Sequence, residues 1–123
     1  MITGTVNAYR EPIVGVTISG TAEQEIKVEA VIDTGFDGSL SLPPALIALL
    51  GLAWRRRGRA ILADGSESIF DIHEAMIVWD GQPRRVAVDA ADTDPLLGMS
   101  LLDGCELTIQ AIIGGKVAIR KLP

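Results

Sequence analysis

The chain has 123 residues, 48% of them hydrophobic and 22% charged, enough apolar material for a packed core and too much for a disordered chain. A formal charge of −5 argues against a phosphate-binding face, so no nucleic-acid partner is expected, and no apolar run approaches membrane-spanning length, so no membrane partner is expected either. A single cysteine, Cys105, and a single histidine, His73, exclude an internal disulfide framework and a multi-histidine metal site.

Period-two patterning opens the chain. Ile2, Gly4, Val6 and Ala8 share one face of a first strand; Val14, Val16 and Ile18 share one face of a second, which Ser19-Gly20 ends. Ile26, Val28, Ala30 and Ile32 alternate with Glu25, Lys27 and Glu29 in a third strand that delivers the chain to Asp33-Thr34-Gly35. Pro43-Pro44 can open a helix, Ala45 to Leu50 are strong formers, and Gly51 stops it. Arg55-Arg56-Arg57 with Arg59, the only basic cluster, reads as a solvated connection after that helix.

Ile61-Leu62-Ala63 and Glu67 to Ile72 flank Asp64-Gly65, a two-residue hairpin signal. Val86 and Val88 mark a further strand. Asp94-Pro95 interrupts before Leu96-Leu97-Gly98 and a short helical stretch, Met99 to Leu102. Leu107, Ile109 and Ala111 lead to Gly114-Gly115, from which Val117 and Ile119 return as a terminal hairpin. Asp80-Gly81 and Asp103-Gly104 read as turns, Trp54 and Trp79 as packing or rim residues, and Cys105 as a small buried residue. Strands, a carboxylate turn and a helix are followed by strands, a Leu-Leu-Gly turn and a helix, which reads as a weak internal duplication. No linker divides the chain, so residues 1–123 are expected to form one domain. Met1-Ile2-Thr3-Gly4 shows no basic region followed by an apolar stretch, and with one cysteine a reducing, cytoplasmic location is expected.

Asp33-Thr34-Gly35 is the most informative triplet. A carboxylate where a strand breaks into a glycine turn projects from a rigid scaffold, which suits general acid/base work. Its plainer reading is an Asp-initiated turn, in which the side chain caps its own backbone two residues on. The triplet occurs once, so a catalytic pair of such carboxylates would need a second copy of the chain.

Val31-Ile32-Asp33-Thr34-Gly35, Ala63-Asp64-Gly65-Ser66 and Pro95-Leu96-Leu97-Gly98, in that order, resemble the retropepsin-like aspartic proteases, especially their small stand-alone bacterial members. The resemblance implies an all-β, closed barrel-like fold with one or two short helices in a single lobe. It implies a homodimeric aspartic endopeptidase that hydrolyses an extended polypeptide with a water activated by one Asp33 from each chain, and no metal or organic cofactor. Asp33 would then be the catalytic carboxylate. Thr34 would tie the two active-site loops together, and Gly35 would offer its backbone to bound peptide. The hairpin carrying Ala63, Asp64, Gly65 and Ser66 would be the flap over the substrate, and Leu96-Leu97-Gly98 would pack beneath the active-site loop.

Two departures bear on substrate binding. Phe36 stands where the family places a small residue and should reshape the pockets. Asp37 matches an acid that meets substrate backbone, yet Met99 replaces the arginine that pairs with that acid in retroviral members. Two other classes remain on the page. A metal-dependent phosphohydrolase would place two aspartates two positions apart, whereas Asp33 and Asp37 are separated by four. A non-catalytic dimeric peptide-binding module with the same fold would grip the peptide without cutting it.

Overall fold

A computed structural model describes residues 1–123. The strands are β1 (Ile2–Val6), β2 (Pro12–Ser19), β3 (Glu25–Ile32), β4 (Leu40–Leu42), β5 (Ala53–Ile61), β6 (Glu67–Trp79), β7 (Gln82–Ala90), β8 (Leu96–Leu97), β9 (Cys105–Ile109) and β10 (Lys116–Lys121). The helices are α1 (Pro44–Leu50) and α2 (Met99–Leu102). The fold is all-β, with strands in the order β5-β6-β7-β4-β8-β3-β2-β1-β10-β9 and a further β2–β6 pairing that closes six of them into a barrel.

Closure depends on β2 dividing one edge between two partners. Pro12 to Val14 pair with β1, and Thr17 to Ser19 pair with Met76 to Val78 of β6. The alternation read from the sequence fills the interior: Val14, Val16, Ile18, Ala30 and Ile32 are buried in one core with Leu97, Leu101 and Ile77. At about 25 cal/mol per Å² of apolar surface, these side chains are the main stabilising term.

α1 begins where proline fixes its first turn and ends where Gly51 adopts φ 63°, a left-handed conformation that costs glycine little. β6 and β7 are joined by Asp80-Gly81, both at positive φ, the geometry of a tight two-residue hairpin.

Three expectations change. Arg55 to Arg57 and Arg59 are not a connection; they lie on β5, paired antiparallel with β6. The turn before β6 is a three-residue loop, Ala63 to Gly65: Gly65 N–H donates to Leu62 O, Leu62 N–H donates to Ser66 O, and Gly65 sits at φ 86°. Leu96-Leu97 is a short strand between β3 and β4, parallel to the first and antiparallel to the second.

The loop 33–39 is laced to the chain that crosses beneath it. Asp33 N–H donates to Leu97 O (2.9 Å), Gly98 N–H to Ser39 O (3.0 Å), Met99 N–H to Phe36 O (2.8 Å) and Ser100 N–H to Gly38 O (3.1 Å). Gly98 makes the crossing possible, since a Cβ there would overlap the Gly38 carbonyl oxygen and stand 2.6 Å from the Phe36 ring. Gly98→Ala should therefore lower stability by roughly 2 kcal/mol or more, as overpacking does. Gly65→Ala meets nothing within 4 Å and should cost only about 1 kcal/mol for its positive φ. Denaturant unfolding of both variants checks the ranking.

Candidate active site

Asp33 leaves the end of β3 with its backbone pinned to Leu97, and its Oδ1 accepts the Gly35 N–H at 2.9 Å. The plain Asp-turn is thus realised, and it occupies only one of the two carboxylate oxygens. A second tether holds the loop from outside, where Ser100 Oγ donates to the Asp37 carbonyl oxygen at 2.6 Å. Phe36 lies half-buried with its ring against the bare backbone of Gly38 and Gly98.

Above this loop stands an open groove of about 1010 Å³. Asp33, Gly35, Phe36 and Asp37 form its floor, Arg59 to Ile61 and Ser68 to Phe70 of the β5–β6 hairpin one wall, and Asp89 to Thr93 the other. Four of the residues singled out in the sequence therefore meet in one place. Thr34 lies beside the groove, exposed, with no hydrogen bond to its own side chain. Ala63, Asp64, Gly65 and Ser66 lie beyond the lining; the stems of the hairpin, not its tip, reach the floor. At that tip the Ser66 hydroxyl and then its N–H donate to Asp64 and hold its carboxyl below the usual range.

Three of the hairpin's four arginines pair across the strands. Arg55 Nε donates to Glu74 at 2.9 Å, Arg57 lies 3.9 Å from Asp71, and Arg59 lies 3.7 Å from Glu67. His73 lies outside the groove, its Nδ1 3.1 Å from the Leu52 carbonyl oxygen. Trp79 is in the core, while Trp54 is exposed and its Nε1 donates to Asp71. Cys105 is half-buried and packs against the core away from the groove.

Ser41 and Asp89 are among the groove residues that sequence reading missed. Ser41 has relative exposure of 3% and is the only buried polar side chain, and its hydroxyl has no hydrogen-bond partner. Asp89 is its register partner across the parallel β4–β7 pair. The Asp89 pKa is raised, first by burial and then by the nearby charge of Asp37, with Arg56 partly offsetting both.

No family model matches the chain, and no curated protein sequence matches it. Solved structures do match. EIAV protease in complex with the inhibitor HBY-793 superposes with a TM-score of 0.56 at 21% identity, covering 78% of this chain and 88% of that one. A retropepsin-like aspartic protease from Rickettsia conorii gives 0.62 at 15% identity, covering 99% and 91%. The chain has a retropepsin-like fold.

The raised pKa of Asp89 has a consequence for stability. The folded chain holds that proton more tightly than the unfolded chain does. Stability is therefore full below the unfolded value of about 3.9 and is lost as pH rises through the folded value. Asp89→Asn should raise Tm at about pH 7 and leave it unchanged below about pH 3. Thermal melts at the two pH values check the difference; an equal shift at both would assign the effect to packing.

Proposed function

We propose that the chain is an aspartic endopeptidase that works as a homodimer, with one Asp33 from each copy. The observation that carries this reading is Asp33 itself, held by backbone hydrogen bonds on the floor of an open groove of about 1010 Å³, with the β5–β6 hairpin as one wall. An extended polypeptide laid there can pair its backbone with the loop and the hairpin.

One Asp33 alone cannot be acid and base at once. Two carboxylates brought within a few ångströms share one proton, the behaviour known for aspartic-protease dyads. The ionised member takes a proton from a water lying between them, and that water attacks the peptide carbonyl carbon. The protonated member hydrogen-bonds the carbonyl oxygen as charge develops there, and a proton passes on to the leaving nitrogen. Thr34, exposed beside the triplet, would bridge the two loops.

The end of the barrel that carries Asp33 supports the second copy. Ile13 pairs with Val31 and with Thr5, which in turn pairs with Lys116, so the β1–β2 turn and the loop before β10 share that end. Tyr9 there is 85% exposed, Ile112 66% and Ile113 55%, an apolar set that a second copy would cover.

Asp33→Asn preserves shape and removes the titrating group, so peptide cleavage should fall on the order of 10³-fold or more with the fold intact. Mixing parent with excess Asp33→Asn chain should reduce activity as the square of the parent fraction once subunits exchange. A linear decline would mean that each chain works alone. Parent activity should follow a bell on the acidic side of neutrality, with two apparent pKa values belonging to the pair. Peptide binding with no cleavage by the parent at any acidic pH would make the protein a binding module.

Ile112→Glu with Ile113→Glu should dissociate the dimer and abolish cleavage together, read by sedimentation velocity and peptide assay. Full activity in a monomeric variant would remove the dimer from the mechanism.

A further inference from the structure

We propose that the groove contains a subsite, built from Ser41, Asp89 and Asp37, that receives the cationic side chain of a lysine or arginine in the bound polypeptide. The proposal rests on the reading of the groove as a polypeptide site and deepens it.

The unpartnered hydroxyl is the first observation. Leu40 and Leu42 of β4 are fully buried in the core, and Ser41 between them points to the opposite face, where it lines the groove. A buried hydroxyl without a partner is unfavourable, and native chains rarely retain one. Here it lies on the face of the sheet that lines the groove, in register with Asp89.

The second observation is the shape around Gly38. A Cβ on Gly38 would stand 3.3 Å from Asp89 Oδ2 and 2.6 Å from the edge of the Phe36 ring. The Phe36 ring thus fills the space over Gly38, and the Asp89 carboxylate lies beside it along the groove. Asp89 and Ser41 are register partners and project from the same face of the sheet. Carboxylate and hydroxyl together fit an ammonium or guanidinium group, which needs oxygen acceptors.

Charge is the third. Asp33, Asp37, Asp89 and Asp92 line the groove against a single guanidinium, Arg59, which already faces Glu67 at 3.7 Å. None of the four carboxylates has an ion-pair partner within 4.0 Å. Burial and then Asp37 disfavour the Asp89 charge, and Arg56 offsets them only in part. A bound cation relieves both effects, so the subsite's cost in the free chain becomes selectivity for a positive side chain.

The test uses the Asp33→Asn chain, which keeps peptides uncut, and calorimetric titration with peptide pairs that differ only in lysine against norleucine at one position. For at least one position the lysine peptide should bind about 10–100-fold tighter, the range of charge-assisted hydrogen bonds. Adding Asp89→Asn should bring that ratio to within about threefold. Ser41→Ala should also reduce it while leaving Tm unchanged or higher, because the hydroxyl has no partner to lose; a merely structural hydroxyl would lower Tm instead. Glu25→Gln, which makes the same charge change at the far end of β3, should leave the ratio intact.

Equal binding of lysine and norleucine peptides at every position would overturn the subsite. So would a Glu25→Gln effect as large as that of Asp89→Asn, which would mean long-range charge alone. Because binding is read without cleavage, a parent that never cuts peptides leaves this result standing. A parent that cuts without regard to lysine overturns the subsite and keeps the protease.

Discussion

The backbone crossing at Gly98 is the constraint on which the site depends. Gly98 passes so close to Gly38 and Phe36 that no side chain fits, and hydrogen bonds from both directions lock loop 33–39 onto residues 97–100. Asp33 is thereby set by the barrel rather than by the loop. The same contact packs the Phe36 ring, whose edge fills the space over Gly38. Rigidity of this kind allows a carboxylate to be held in place before substrate arrives, which is what acid/base work requires.

The β5–β6 hairpin carries four arginines, and its acids, Glu67, Asp71 and Glu74, pair with three of them. These exposed pairs add little stability. Arg59 keeps its pair with Glu67 while lining the groove, and Arg56, which has no ion pair, partly offsets the effect of burial and Asp37 on Asp89. Asp37 itself has no ion-pair partner, so the groove lining keeps four carboxylates against one paired guanidinium.

Much of this was legible in the sequence, for reasons that can be named. α1 was bounded by a proline and a left-handed glycine, both local signals, and α2 followed its turn over Met99 to Leu102 as read. The long core strands declared themselves through alternation because one face of each is buried. β4 and β8 were invisible because strands of three and two residues have no period, and every residue of β4 is buried. β5 was misread because a hairpin exposed on both faces shows no apolar stripe. Its signal lay elsewhere: Arg55, Arg57 and Arg59 nest about the Asp64-Gly65 turn against Glu74, Asp71 and Glu67. Asp33, Phe36 and Asp37 were found because they adjoin one motif. Ser41 and Asp89 were missed because only the parallel β4–β7 pairing, distant in sequence, brings them together.

The proposed dimer would bring together two separate facts, the single occurrence of Asp33 and the exposed apolar end of the barrel. A protomer working alone would leave Tyr9, Ile112 and Ile113 uncovered at the end that carries Asp33. A two-fold axis through that end would cover them and, by the same operation, would set a second Asp33 opposite the first. Burial of apolar surface would then supply the free energy that two approaching carboxylates oppose, and one shared proton would remove most of that opposition. Association and acid/base competence would become a single equilibrium in such a dimer.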